Sequence, residues 1–473
     1  MTTFCIQQFG CRATHADGDA LERQLLSRGY TATDEASAAD FVVVNTCTVT
    51  AAADAQAREA IRKIHAQNPD VRLIVTGCYA QRAPEDLAAL PGVSWVVGNS
   101  HKPEIPQLIS AFPQSPSSPS VQDFFPAASL RAETLSLSRA PAKILTGDIF
   151  EQTTLLAAPL FGGEGNHTRP VLKIQDGCNS RCSYCVIPFV RGKSRSLPAE
   201  VVLQEIQRLT TAGFREFVLS GINLGTYGRD FSPRVELLDL VRRILDETSV
   251  ERLRISSIEP QDVTQDLVEL FASTDRVAQH FHIPLQSGSD RILAAMHRWY
   301  RSEHYARRIE LIREHLPHAA IGADVIAGFP GETEADHAAT LAFIERLPFT
   351  YLHVFSFSER PGTQADSLSN QLPHTVIKRR ARELRAIGEA KSAAFRRTQV
   401  GRVVRVLTLN SAQSFPTGSS SALSSNYLRI RIPGVAKANQ WMDVKLQRCD
   451  GPYLLGQAAE KDVRAFPSRL GES

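Results

Sequence analysis

Short apolar runs alternate with amphipathic stretches along the first hundred residues. Phe4-Cys5-Ile6, Phe41–Asn45, Val71–Val75 and Val93–Val97 read as buried strands. Asp17–Arg28 carries Leu21, Leu25 and Leu26 on one face and stops at Gly29, so it reads as a helix. Ala51–His65 and the stretch after Pro84 read the same way. This alternation predicts a parallel sheet with helices on its faces.

From Ala111 to about Thr168 the periodicity is lost. Pro113–Ser120 is rich in Pro and Ser, and Gly162-Gly163-Glu164-Gly165 follows, so the stretch reads as a partly ordered connection. The polar tail ending at Arg169 could touch RNA, but a plain linker is the simpler reading. Strands are then predicted at Val171–Gln175, Arg215–Ser220, Arg252–Ile258, His280–Leu285, Ile321–Ala327 and Tyr351–Phe357. Helices at Pro198–Thr211, Val235–Leu245, Asp262–Phe271 and Thr333–Arg346, and others starting from Ser289 and Ser302, alternate with them. Six strand–helix units are too few to close an eightfold barrel. Three short alternating strands near the end, Val403–Leu409, Tyr427–Ile432 and Met442–Leu446, suggest a small β-barrel, with Ser414–Ser425 as a long polar loop. The fold class is α/β, divided as 1–110, a connection 111–168, a core 169–397 and a barrel 398–465.

The composition is that of an ordinary globular chain: 473 residues, 43% hydrophobic and 22% charged. Net charge is only +3, so a nucleic-acid footprint must be local. Met1 is not followed by an apolar leader, and no apolar run approaches a membrane span, so a cytoplasmic protein without a membrane contact is expected. Eight cysteines in such a chain do not form a disulfide framework; in a reducing compartment, clustered cysteines bind metal or do redox chemistry.

Three of them fall within eight residues, at Cys178, Cys182 and Cys185, on a polar loop after a strand and the Asp176-Gly177 turn. Three thiolates at this spacing can hold three irons of a cubane and leave the fourth iron open. Half a zinc site is the competing reading, although zinc usually takes pairs two residues apart. Cys11, Cys47 and Cys78 each follow a predicted strand of the first sheet. In a parallel sheet the carboxyl ends share one edge, so these thiols converge. Alone, each would read as a buried cysteine. Cys5 reads as strand core, and Cys449 has no assignment.

Cys178-x-x-x-Cys182-x-x-Cys185 resembles the signature of the radical S-adenosylmethionine (SAM) enzymes. The surrounding strings Lys173–Asn179 and Val186–Gly192, with Phe9-Gly10-Cys11, Asn45–Thr50 and Gly77–Gln81, resemble one branch, the methylthiotransferases. Thr14 stands where that family usually has Asn, and Asp17 holds the acidic position expected next. The resemblance implies two 4Fe-4S clusters: one on Cys178, Cys182 and Cys185, exchanging with SAM, and an auxiliary one on Cys11, Cys47 and Cys78. It also implies an open six-unit barrel and a terminal barrel resembling the TRAM RNA-binding module. The implied reaction replaces C2–H of a hypermodified tRNA adenosine beside the anticodon with C–SCH3. The partners are then the tRNA anticodon stem-loop, a low-potential one-electron donor such as a flavodoxin, and a sulfur source. The string Arg254–Pro260 looks closest to the branch acting on threonylcarbamoyladenosine; isopentenyladenosine or a ribosomal-protein aspartate are alternatives. A non-catalytic iron–sulfur RNA-binding protein is the reading from another class.

Asn223, Glu259 and Gln286 lie where core strands end and are candidates to bind SAM, or are loop caps. Asp324 lies inside an apolar strand and needs a partner there. His304, His318 and His337 fall in helical surroundings and read as packing or surface residues. Ten basic residues lie between Lys378 and Arg405, opposed by Glu383 and Glu389. Lys378, Arg379, Arg380 and Arg382 are therefore candidate RNA contacts.

Overall fold

The computed structural model describes residues 2–110, 142–152, 155, 168–410 and 418–459. The Pro/Ser-rich run, the Gly162–Gly165 string and the end of the last segment lie outside them. Among the described residues no helix is long and apolar enough to cross a membrane.

The first sheet holds β1 (Thr3–Gln8), β2 (Thr31–Ala32), β3 (Phe41–Thr46), β4 (Arg72–Gly77), β5 (Val93–Val97) and β6 (Lys143–Leu145), in the order β2-β1-β3-β4-β5-β6. All its pairings are parallel. Around it run α1 (Arg12–Leu26), α2 (Ala51–Gln67), α3 (Cys78–Arg82), α4 (Pro84–Ala88) and α5 (Ile105–Ser110). Every residue of β3 is buried, as an unbroken apolar run covered on both faces requires. Two expectations change here. The helix expected from Asp17 starts at Arg12, directly after Cys11. Within the expected connection, Lys143–Leu145 pairs with β5 as the sheet's sixth strand; three residues with no flanking period give no sequence signal.

The core begins with β7 (Val171–Lys173) and a small hairpin, β8 (Gln175–Asp176) and β9 (Arg195–Ser196). It continues with β10 (Glu216–Ser220), β11 (Arg252–Ile255), β12 (His280–His282), β13 (Ala320–Ala327) and β14 (Tyr351–Ser356). The parallel sheets β11-β10-β7 and β12-β13-β14 are joined by bridges Leu253–Val277 and Ser257–His282. Among the described residues no pairing returns β14 to β7, so the six-strand barrel is open. Its helices are α6 (Ile187–Arg191), α7 (Ala199–Thr211), α8 (Leu237–Glu247), α9 (Gln265–Ala272), α10 (Asp290–Ala295), α11 (Ser302–His315) and α12 (Glu334–Arg346). α13 (His374–Gln399) follows and buries Ile377, Ala381 and Leu384.

The chain closes with a five-stranded barrel, β15 (Val403–Thr408), β16 (Ser419–Ser424), β17 (Arg429–Pro433), β18 (Trp441–Asp450) and β19 (Tyr453–Ala458), in the order β15-β16-β17-β19-β18. The polar loop expected over Ser414–Ser425 is corrected: Ser419–Ser424 is a strand between β15 and β17, with Ala422 and Leu423 buried. Residues 411–417 lie outside the description. Serines hide this strand because their hydroxyls bond inside the barrel, as Ser424 Oγ does to Asn426 Oδ1 at 2.6 Å.

Candidate functional site

Three cysteines meet at the carboxyl edge of the first sheet. Cys47 follows β3, Cys78 opens α3 directly after β4, and Cys11 precedes α1. Two glycines make the convergence possible. Gly10 has φ +106°, and a Cβ there would lie 2.2 Å from Cys47 Cβ. Gly77 has φ +101°, and a Cβ would lie 2.2 Å from the Thr46 carbonyl oxygen. Only a residue without Cβ allows both approaches. Burial, then the charges of Cys78 and Cys11, push the Cys47 thiol up to about 12. Asn99 Nδ2 donates to Cys78 Sγ at 3.6 Å and to the Val190 carbonyl at 2.8 Å, tying this edge to α6. Thr14 Oγ1 lies 3.5 Å from Cys11 Sγ and accepts from Arg191 Nη2 at 3.3 Å.

The second set sits on the loop after β8. Arg298 Nη1 donates to Cys182 Sγ at 3.3 Å, and Arg298 Nη2 pairs with Glu259. Asn223 Nδ2 lies 3.8 Å from Cys178 Sγ, the Ser180 amide donates to the same sulfur at 3.4 Å, and Asn223 Oδ1 is buried without a hydrogen-bond partner among the described residues. Burial pushes the Cys185 thiol up to about 12, with the neighbouring Cys182 charge adding to it. Burial also raises Cys182, against the Arg298 charge.

A buried ionic network locks the two cysteine-bearing units together. Asp17, on α1, meets Lys102 Nζ at 3.0 Å, Arg191 Nη2 at 3.1 Å and Lys173 Nζ. Asp176 meets Lys173 at 3.0 Å, Arg191 at 3.0 Å and Arg195 at 3.4 Å. Burial would raise the Asp17 carboxyl, but Lys102, Lys173 and Arg191 reverse that and hold it well below the usual carboxylate range. Arg191 is held charged against burial by Cys78, Asp176 and Asp17. Four cations face two carboxylates, a positive surplus that suits thiolates nearby. A second tie joins Arg360 Nη1 to Asp54 of α2 at 2.7 Å, with Arg82 on the same oxygen at 2.9 Å. Ser358 Oγ accepts from the Ala51 amide at the start of α2, at 3.1 Å.

Beside Cys185 lies a cavity of about 190 Å³. Val49 and Thr50, just past Cys47, form one wall, and Tyr184, Cys185 and Ile187 another. Gln286, Asp324, Phe355 and Arg360 complete its lining. Gln286 adopts φ +65°, outside the range most side chains favour. Asp324 finds the partners its strand position demanded: His282 Nε2 at 2.9 Å and His353 Nδ1 at 3.3 Å from its Oδ1. Burial would raise this carboxyl, but those two hydrogen bonds hold it below the usual range. Tyr351 Oη lies 2.9 Å from His282 Nδ1 and 2.8 Å from His280 Nε2, and His280 stacks on Tyr427 at 4.5 Å.

The donor set fits two iron–sulfur clusters. All six cysteines are free thiols. Each set offers three sulfurs: Cys47 and Cys78 are buried beside exposed Cys11, Cys178, Cys182 and Cys185 are half-buried, and N–H donors reach Cys78, Cys178 and Cys182. A thiol raised to about 12 stays protonated until a metal displaces its proton, and the donors then stabilise the thiolate. Three sulfurs leave one iron of a cubane for a ligand from outside the chain. Glu259, Asn223 and Gln286 lie against this set or its cavity, where SAM would sit.

Other expected residues are placed differently. Arg380 is corrected as an RNA contact: it is 2% exposed, bonded to Glu332 at 2.8 Å and Glu334 at 2.7 Å. Its charge is spent inside, because Arg380 shares the inward face of α13 with Ile377 and Leu384. Arg379 pairs with Glu334 and Glu383, while Lys378 and Arg382 are exposed. His337 is buried and bonded to Glu383 at 2.6 Å and His304 packs on Trp299, while His318 is exposed and only its backbone carbonyl accepts from Asn426. Cys5 is buried in β1 and Cys449 packs against the terminal barrel core. Arg298, Asn99, Arg191, His282 and His353 escaped the sequence reading. The one available signal was a charged or imidazole side chain alternating with apolar residues inside a strand, as in His280-Phe281-His282.

Comparison with known proteins follows the same division. A family model described as Uncharacterized protein family UPF0004 matches residues 3–98, and one described as Radical SAM superfamily matches residues 172–344. The threonylcarbamoyladenosine tRNA methylthiotransferase MtaB of Aquifex aeolicus is 34% identical over 439 residues, covering 93% of this chain and 98% of that protein. The protein of the same name from Bacillus subtilis is 33% identical over 462 residues, covering 97% and 96%. A tRNA-2-methylthio-N(6)-dimethylallyladenosine synthase from Thermobifida fusca is 35% identical over 410 residues, covering 86% and 77%. Among solved structures, the radical SAM methyltransferase TsrM of Kitasatospora setae, with tryptophan and a SAM analogue bound, is similar with TM-score 0.56 and 15% identity, covering 77% and 75%. That likeness concerns the fold.

Proposed function

Because the chain belongs to the radical SAM methylthiotransferase family, we propose that it converts C2–H of N6-threonylcarbamoyladenosine, beside the tRNA anticodon, into C2–SCH3. The protein is a transferase of tRNA methylthiolation that uses SAM and 4Fe-4S clusters. One observation carries the reading. Cys185 and the residues just after Cys47, Val49 and Thr50, line the same cavity.

The cofactors supply the radical that removes hydrogen from C2 and the methylthio unit that replaces it. The protein's part is placement. Cys178, Cys182 and Cys185 hold the cluster that exchanges with SAM, and Cys11, Cys47 and Cys78 hold the other. Arg298 donates to Cys182 and anchors Glu259, while Asn223 packs on Cys178. Glu259, Asn223 and Gln286 bind SAM in that arrangement. The network of Asp17 and Asp176 fixes the distance between the sets, which matters because reacting atoms must come within about 3–3.5 Å. Lys378 and Arg382 offer charge to the tRNA backbone, with half-exposed Arg379 beside them. A low-potential electron donor and a sulfur source complete the partners.

Relatives named for dimethylallyladenosine support a second reading, methylthiolation of that nucleoside. Mass spectrometry of tRNA nucleosides from a deletion strain decides. The threonylcarbamoyl reading expects loss of its 2-methylthio derivative with accumulation of the unthiolated parent. Loss of the 2-methylthio-isopentenyl nucleoside instead would overturn it.

A further inference from the structure

We infer that His282, Asp324, His353 and Tyr351 form a subsite that reads the polar N6 substituent of the target adenosine; this rests on the reaction proposed above and names how its substrate is chosen. The four side chains come from three adjacent parallel strands, β12, β13 and β14. Asp324 stands in register opposite His353, and Tyr351 opposite Gly322 two positions earlier, so alternation puts them on one face. Asp324 lines the same cavity as Cys185.

His280 Nε2 lies 2.8 Å from Tyr351 Oη, Tyr351 Oη lies 2.9 Å from His282 Nδ1, and His282 Nε2–H donates to Asp324 Oδ1, since a carboxylate only accepts. His353 Nδ1 lies 3.3 Å from the same oxygen. The run of contacts ends on a carboxylate held below the usual range, which fixes Nε2 as the protonated nitrogen facing it from His282. Among the described residues Asp324 Oδ2 and His353 Nε2 take no hydrogen bond, and the His353 side chain is 56% exposed. They remain as an acceptor and a group for an incoming ligand.

These groups discriminate between the two nucleosides. An isopentenyl group laid over Asp324 would strip water from a carboxylate and return nothing. A threonylcarbamoyl group brings ureido N–H and hydroxyl donors for Asp324. Its own carboxylate needs a cation, and Arg360, one of two arginines sharing Asp54, lines the same cavity. Sites built on hydrogen bonds reject analogues lacking the matching groups far more strongly than apolar pockets do.

The test uses the full-length, cluster-loaded enzyme and one tRNA sequence carrying either nucleoside. The readout is the ratio of kcat/KM values for methylthiolation. Wild type is expected to favour threonylcarbamoyladenosine by about a thousandfold or more, given the range seen for hydrogen-bonding sites. Asp324→Asn, nearly isosteric, and His353→Leu should each collapse that ratio by at least about tenfold, the discrimination of one or two hydrogen bonds. If wild type favours isopentenyladenosine, the substrate reading itself fails. If wild type favours threonylcarbamoyladenosine and both variants keep the ratio, or lose both substrates equally, the subsite is overturned while the substrate reading stands. The three ligand-type atoms lie within 4.8 Å and could share a cation, so the enzyme is also assayed after passage over a chelating resin. Preference lost on chelation and restored by a divalent metal would overturn direct reading by these side chains.

Discussion

Arg191 and Asp17 stand 174 residues apart in the chain and meet at 3.1 Å, with both side chains almost wholly buried. One belongs to the helix after the second cysteine set, the other to the helix after Cys11. Their pairing fixes the two sets relative to each other. Removing one partner of such a pair leaves an uncompensated charge in a dry place.

Asp17→Asn should therefore destabilise the fold by about 3–5 kcal/mol, the usual cost of breaking a buried ionic group. Lys102 then has no carboxylate partner among the described residues, with Asn45 Oδ1 at 3.2 Å. Adding Lys102→Met should recover part of the loss, because a neutral side chain of similar length needs no partner. Urea midpoints of the three proteins measure this. A midpoint unchanged in Asp17→Asn would contradict the role given to the network.

Much of this was legible from the sequence, and the gaps have physical causes. Cys11, Cys47 and Cys78 are legible because loops after parallel strands share one edge, and they lie on it; Cys178, Cys182 and Cys185 are legible from their spacing on one loop. The six core strands are readable from apolar runs. β6 and β16 are not, because one is three residues long and the other is built of serines that bond within the barrel. Arg380 misled because a run of basic residues shows its charge and not its face. The His282–Asp324–His353 cluster was half visible: Asp324 in an apolar strand demanded a partner, but register across three strands decides which one.

Asp262 offers a pH test away from the cysteines. Burial pushes its carboxyl up to about 6, against Arg229 at 2.6 Å. In the unfolded chain it titrates near 3.9. Between those values the native state keeps a proton that the unfolded state releases. Its contribution is complete below about pH 4 and is lost as pH rises through about 6, by up to about 3 kcal/mol for two units. Asp262→Asn removes this dependence. The stability difference between wild type and variant, measured from pH 4 to 7, should change in that window; a constant difference would contradict it.

Arg298 places a cation and an N–H on Cys182. Both favour the more negative, reduced state of whatever cluster that sulfur holds. Arg298→Met should lower the midpoint potential of the cluster on Cys178, Cys182 and Cys185, read by redox titration with electron paramagnetic resonance. A potential that stays put or rises would remove Arg298 from this role.

On α13 the exposed and buried arginines separate. Lys378→Gln and Arg382→Gln should each weaken tRNA binding and reduce its log–log salt slope by about 0.7–0.9. Arg380→Gln should instead lower the unfolding temperature, since it strands Glu332 in the interior. Equal salt slopes in wild type and the Lys378 and Arg382 variants would exclude this face from the tRNA contact.

The central claim is that two separate cysteine sets serve one reaction, with Cys185 and the residues just after Cys47 lining one cavity. The most direct measurement takes the Cys47→Ala, Cys78→Ala protein, reconstituted anaerobically, with reductant, SAM and tRNA carrying the unthiolated nucleoside. It should retain about four irons, one cubane's worth. It should still cleave SAM to 5′-deoxyadenosine at Cys178, Cys182 and Cys185, and form no methylthio nucleoside. A variant that still methylthiolates tRNA would contradict the account.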